Sequence, residues 1–307
     1  MDSFSSLLLG TVLLRPYVFA FLLLYLLAAV ADMGWRKTLL FTLIGWGVAF
    51  TAESLSIRVG IPFGLYHYIP STDHRELWVA GVPFMDSLSF VFLAYASFAL
   101  ARLAVLPPHR TGERERWWSW TLPLPNPLHP PVLLLTATLF VLIDIVVDPV
   151  ALRGDRWFLG QIFYYPAGGA YFGVPVSNFI GWGVVGLTIM VLFAMLHGKV
   201  KGSPPAWTER LPLRPLYGPI LYYLVLGFTL TVTWFIGEVT LFLVGCFIYL
   251  PLTTVLIITI LSRWREGGPP RWEQFQNLST LLGEKEVATN GDGTLPMKPI
   301  GKNRNGG

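Results

Sequence analysis

Five carboxylates sit in or at the rims of otherwise apolar runs: Glu53, Asp86, Asp144, Asp148 and Glu238. An ionisable side chain at membrane depth is expensive, so an apolar chain keeps one mainly for function. Asp144 and Asp148 are four residues apart, which puts them on one helix face about 6 Å apart. Two carboxyls that close in a poorly solvated place do not both ionise easily. The pair then supplies a neutral carboxylic acid near pH 7, the state a general acid needs. Structural readings compete. Asp144 and Asp148 could accept loop amides or pair with Arg153 and Arg156, and Glu53 could bond Ser54, Ser56 or a tyrosine hydroxyl. Asp86 could pair with Arg58 or Arg75, and Glu238 could only finish a turn.

The elements that position these groups follow from composition. The 307 residues are 53% hydrophobic and 13% charged, with mean hydropathy +0.56. A soluble domain carries about 25% charged residues, so the expected class is all-α, a polytopic membrane helical bundle. About 20 apolar residues cross a bilayer as a helix. Seven such runs are expected near 12–31, 38–57, 79–104, 132–150, 174–196, 217–237 and 239–262, the last two separated at Gly237-Glu238. Arg36, Lys37, Arg102, Arg110, Arg114, Arg116, Lys199, Lys201, Arg210, Arg214, Arg263 and Arg265 then fall on one side. Only Arg15, Arg58, Arg75, Arg153 and Arg156 fall on the other. This bias predicts an N-out, C-in orientation in the plasma membrane, and it places all five carboxylates at the outer end.

The bundle is expected over 1–265, and a disordered cytoplasmic tail over 266–307, where apolar residues are few. The Trp-rich, Pro-rich loop 105–131 fits an interfacial belt. Gly81-Val82-Pro83-Phe84 opens the third run and Gly173-Val174-Pro175-Val176 the fifth. Each is followed, three residues after its Pro, by a polar side chain, Asp86 and Asn178. Shared helix-start chemistry explains this echo as well as an internal duplication does. The outer loops add Tyr66, Tyr68, Trp157, Tyr164, Tyr165, Tyr171 and Phe172.

Several classes are set aside by what the chain lacks. The net charge of +4 flanks apolar runs, which suits membrane anchoring rather than nucleic acid. The lone Cys246 and five scattered histidines build no metal site. No lysine falls inside an apolar run to hold retinal, and the DIVVDP segment lacks the second Asp-rich motif of prenyltransferases. No nucleotide-binding Gly motif is present.

Glu53-Ser54, Pro62-Phe63-Gly64 with Tyr66 and Tyr68, Gly81-Val82-Pro83, Asp144 through Asp148-Pro149, Trp157, and Tyr171 through Pro175 with Asn178-Phe179 and Gly181-Trp182 occur in order. Over roughly residues 15–262 they resemble the membrane carotenoid-biosynthesis proteins that include the CruF-type carotenoid 1,2-hydratases and bisanhydrobacterioruberin hydratase. The resemblance implies cofactor-free, metal-free addition of water to the terminal C1–C2 double bond of an acyclic carotenoid ψ-end, giving a tertiary alcohol. Asp144 is then the expected general acid, with Asp148 or Glu53 positioning water and Asp86 and Asn178 completing the polar shell. Tyr66, Tyr68, Trp157, Tyr171, Phe172 and Trp182 are the expected substrate-binding residues. The implied partners are a membrane-embedded carotenoid, the lipid bilayer and other enzymes of the pathway. A carotenoid cyclase of similar acid chemistry and a proton-coupled carrier are the alternatives; a carrier needs polar groups through the inner halves of its helices, which look apolar.

Overall fold

The structure, a computed structural model, describes residues 4–106, 109–110, 120–124 and 129–266. The expected interfacial cluster at Trp117-Trp118 and the expected tail beyond Glu266 lie outside the described residues. The chain runs α1 (Phe4–Leu14), α2 (Pro16–Met33), α3 (Trp35–Val59), β1 (His67–Tyr68), β2 (Trp78–Val79), β3 (Val82–Pro83) and α4 (Phe84–Val105). It continues with β4 (His109–Arg110), β5 (Trp120–Thr121), α5 (Pro130–Ala151), β6 (Phe163–Tyr164), α6 (Val176–Leu196), α7 (Tyr217–Phe235) and α8 (Val239–Glu266). Seven of these helices, α2 to α8, are long and apolar enough to cross a membrane. The protein is an all-α, multi-pass membrane bundle, with only two-residue strands among its described residues.

The expected first span, 12–31, proves to join two elements. The chain breaks at Arg15-Pro16, where α1 ends and proline, lacking an N–H, opens α2. Hydropathy alone does not register that break, because both sides are apolar. The break between the last two helices falls where expected: α7 stops at Phe235, and Gly237 takes φ +77° before α8.

Helix α4 is the centre of the bundle and is buried along nearly its whole length, packed by α2, α3, α5 and α7. Small residues allow this close approach. Ala96, Ala99 and Ala101 are buried on α4, and a Cβ built on Gly218 of α7 would lie 2.2 Å from the Ala99 methyl. By contrast α8 turns Leu243, Phe247 and Leu250 outward, a lipid-facing stripe.

The helix-start echo extends to backbone conformation. Ala80-Gly81 and Phe172-Gly173 take φ of +49°, +87° and +49°, +94°. Two successive positive φ values turn the chain as a tight hairpin does. Val79 pairs with Val82 and Tyr171 with Val174 across these turns, and Pro83 and Pro175 then cap α4 and α6.

The end of the bundle away from the carboxyl-rich connections, expected to be apolar, holds an ionisable pair. Arg102 of α4 and Asp32 of α2 form a buried ion pair, and Tyr95 Oη donates to Asp32 Oδ2 at 3.2 Å. The sequence analysis counts Arg102 as a free basic residue; its pairing with Asp32 was not legible because the two sit at the rims of two separate runs. Arg102→Met, which strands the Asp32 carboxylate, is expected to cost about 3–5 kcal/mol. The double variant Arg102→Met/Asp32→Asn is expected to lose less than the two single losses combined, as read from thermal unfolding in detergent.

Candidate functional site

The α3–α4 and α5–α6 connections cover one end of the bundle and join there. β1 pairs antiparallel with β6, matching Tyr68 to Phe163, and Ile69 N donates to Ile162 O at 2.8 Å. Beneath this cover lies a cavity of about 130 Å³.

Glu53, one and a half turns before the end of α3, is 2% exposed. Its Oε2 accepts from Ser87 Oγ, and its Oε1 lies 3.1 Å from Tyr68 Oη. Asp86, in the first turn of α4, has Oδ2 2.5 Å from the same phenol. Tyr66 Oη donates to Tyr68 Oη at 3.3 Å. Burial, followed by the Asp86 and Glu53 carboxyls, holds the Tyr68 phenol well above its ordinary value, so it keeps its proton.

A second cluster faces the same space. Asn178, in the first turn of α6, donates from Nδ2 to Asp144 Oδ2 at 2.8 Å and to Asp148 Oδ2 at 2.7 Å. The helical spacing of the two aspartates therefore does bring them to one partner. Tyr165 lies beside them: burial, then Asp148, Asp144 and Asp86, raises its phenol. None of Glu53, Asp86, Asp144 and Asp148 forms an ion pair among the described residues. Arg153 and Arg156 instead bind Glu238, and Arg58 donates to the carbonyls of Ser54 and Ala80.

Of the expected residues, Glu53, Asp86, Asp148, Asn178, Tyr66 and Tyr68 line the cavity, as do Trp157 and Trp182. Asp144 is fully buried one layer back and does not line it. Its depth along the helix was legible, but its place behind Asp148 and Asn178 was not. Tyr171 and Phe172 lie outside the lining: Tyr171 packs edge-on against Phe172 and Phe179, and the Phe172 carbonyl accepts from Arg153. Glu238 closes the α7–α8 turn onto the Arg153–Arg156 segment, away from the cavity.

Sequence reasoning missed the apolar wall. Phe90 stacks on Trp182 at 4.3 Å, and Tyr17 stacks on Phe228 at 5.4 Å, with Phe21 and Phe92 alongside. Phe90 had a signal, standing one turn beyond Asp86 on the same helix face. Tyr17 and Phe228 had none, because only the packing of α2 on α7 turns them inward. The arrangement offers carboxyl, phenol and amide groups beside aromatic rings in one cavity, which suits acid–base chemistry on an apolar molecule.

Residues 7–252 match a family described as carotenoid biosynthesis protein. No curated protein and no solved structure matches the chain.

The Glu238 latch yields a pH prediction. Burial pushes this carboxyl up, but Arg153 and Arg156 outweigh it and hold it below its ordinary value. Its contribution to stability is therefore complete above the ordinary carboxylate value and is lost as pH falls through the lowered one. Thermal unfolding followed between about pH 7 and pH 3 is expected to show Glu238→Gln less stable than wild type at the upper end, with the gap closing toward the lower.

Proposed function

Since the chain belongs to the carotenoid biosynthesis protein family, we propose that it hydrates an acyclic carotenoid, adding water to the terminal C1–C2 double bond of a ψ-end. The observation that supports this most is the pairing, in one cavity, of three carboxyls, Glu53, Asp86 and Asp148, that form no ion pair among the described residues, with an aromatic wall. Hydration of a trisubstituted alkene needs a proton donor, a place for a tertiary cation, and a base that readies water. A carboxyl of the cluster gives its proton to C2, and the π pair becomes the new C–H bond. The cation at C1 is placed against the aromatic lining, which includes Trp182, Phe90, Tyr66 and Trp157 and attracts positive charge. Water then bonds to C1 and yields a proton to a carboxylate, leaving a tertiary alcohol.

Because Asp144 does not line the cavity, the direct acid and base of this reading are Glu53, Asp86 and Asp148. Asp144 supports them through Asn178. With the N-out orientation expected from the charge bias, the site lies toward the outer face of the plasma membrane. No metal or redox cofactor enters this scheme, and other carotenoid enzymes would supply and consume the pigment.

Expression in a host that accumulates acyclic carotenoids is expected to convert the pigment to one heavier by one water, detected by mass spectrometry of extracts. A cyclase leaves the mass unchanged, and so does a carrier. Either result would sink the reading. Glu53→Gln and Asp148→Asn are each expected to slow alcohol formation by about 10²–10⁴-fold, measured on purified protein with its abundance and fold matched to wild type.

A further inference from the structure

The two clusters are built on twin hairpins, α3–α4 and α5–α6, whose equivalent parts can be named. Arg58 donates to the carbonyl of Ser54 at 2.6 Å and to Ala80 O at 3.0 Å. Arg153 donates to the carbonyl of Pro149 at 2.8 Å and to Phe172 O at 3.1 Å. Each arginine thus spans the carbonyl four residues back and the first residue of its own tight turn. One sequence separation relates Glu53 to Asp148, Arg58 to Arg153 and Tyr68 to Phe163; a slightly shorter one relates Ala80 to Phe172, Asp86 to Asn178 and Phe90 to Trp182. Equivalent residues also meet: Tyr68 pairs with Phe163 across β1–β6, and Phe90 stacks on Trp182 with 17° between rings. Self-pairing of equivalents is what a two-fold relation between the hairpins requires. The shared helix-start motif is therefore part of a duplicated unit rather than chance helix chemistry.

The halves differ at the places that carry chemistry. The first has Tyr68 where the second has Phe163, and Asp86 where the second has Asn178. The second has Asp144 where the first has Ala49. Hydrogen counting separates their roles. Tyr68 Oη has one hydrogen, accepts from Tyr66, and lies within bonding distance of both Glu53 and Asp86. It can donate to one carboxyl, so the other bonds only by donating its own proton. The first cluster is complete only when it holds a carboxylic acid. In the second, the Asn178 amide has two hydrogens and gives one to each aspartate. These bonds need no acid proton from Asp148; the one proton that so close a pair of carboxyls retains belongs to Asp144, the member away from the cavity, and leaves Asp148 the carboxylate.

We propose that the duplicated hairpins divide the reaction: Glu53, Asp86 and Tyr68 deliver the proton, while Asp148 and Asn178, backed by Asp144, hold the attacking water and take its proton. The division rests on the hydration reading above. Protonation moves the π pair of C1=C2 into a C2–H bond and leaves the cation at C1. Water attacks C1, and its released proton passes to Asp148. The cycle closes when the second cluster gives up that proton and the first regains one, with no other reactant.

The test runs the purified protein with acyclic carotenoid in D₂O and reads two products by mass: alcohol, and deuterium in recovered alkene. A cation that forms but meets no positioned water loses a proton from C2 or a neighbouring methyl and returns as labelled alkene. Asp148→Asn and Asn178→Leu are expected to lose at least tenfold in alcohol while still labelling the alkene. Glu53→Gln and Tyr68→Phe are expected to lose at least tenfold in both, which a merely structural role for Tyr68 would not produce if fold and abundance match wild type. Two variants per half keep the contrast readable if one misfolds. A reversed pattern, or equal labelling in both halves while wild type makes alcohol, overturns the division alone. Wild type that makes no alcohol from any acyclic carotenoid overturns the hydration reading and the division together.

Discussion

A carboxyl group removed from water must find a cation, hydrogen-bond donors or a proton, because the bare anion is too costly in an apolar interior. The bundle meets that requirement in two ways, and the difference sorts its acids. Asp32 has Arg102, Glu76 has Arg15, and Glu238 has Arg153 and Arg156. A carboxylate so paired is fixed as an anion and serves to hold elements together. Among the described residues, Glu53, Asp86, Asp144 and Asp148 are held without a cation, by the Ser87 hydroxyl, the Tyr68 phenol and the Asn178 amide. Groups held that way can exchange protons without leaving a guanidinium stranded, which is the property acid–base chemistry needs.

The paired acids keep the unpaired ones in place. The buried Arg15–Glu76 bridge ties the α1–α2 joint to the loop before α4, and Arg15 also donates to Leu159 O beyond α5 at 2.8 Å. Thr11 Oγ1 accepts from Leu77 N at 2.8 Å in the same joint. Both loops that roof the cavity are thereby pinned to the start of the chain. From Leu77 the backbone enters β2, turns at Ala80-Gly81, and delivers Asp86 to the first turn of α4. Helix α4 cannot shift easily in response, since small residues hold it against α7 and it is packed on several sides. A rigid central helix with braced loop ends fixes Asp86 and Ser87 relative to Glu53.

Much of this was legible in the sequence because membrane burial writes a coarse and strict code. Run length gave the seven spans, and the rarity of carboxylates in them gave Glu53, Asp86, Asp144 and Asp148 as a group. Helical spacing put Asp144 and Asp148 on a common partner. What escaped were relations between helices. Asp144 is one turn from Asp148 yet sits behind it, because the rotation of α5 is set by its neighbours and not by its own pattern. Tyr171 and Phe172 looked like site residues, but the tight turn that makes their segment equivalent to Val79-Ala80 directs them elsewhere. The Arg15–Glu76 and Arg102–Asp32 pairs cancel charges that a loop count treats as free, so the side-to-side bias rests on the remaining basic residues. The duplication was visible only as Gly-Val-Pro twice, since equivalence of Arg58 with Arg153 lies in backbone bonds rather than in a shared motif.

The position of the site along the bundle has its own logic. A long polyene dissolves in hydrocarbon, whereas the water and protons of the proposed hydration come from the aqueous phase, and the two meet near the ends of spanning helices. The carboxyl clusters occupy that depth: Glu53 precedes the end of α3, Asp148 the end of α5, and Asp86 and Asn178 open the following helices. Toward the bundle, Tyr17 and Phe21 of α2 face Phe228 of α7 across the apolar part of the cavity. A site deeper in the bundle would exclude water from the cation, and one in the loops would leave the polyene in solvent. Twin hairpins solve this placement twice with the same turn, and opposed halves give two polar clusters facing one cavity. An alkene being hydrated needs just those two things, a proton on one carbon and a water on its neighbour.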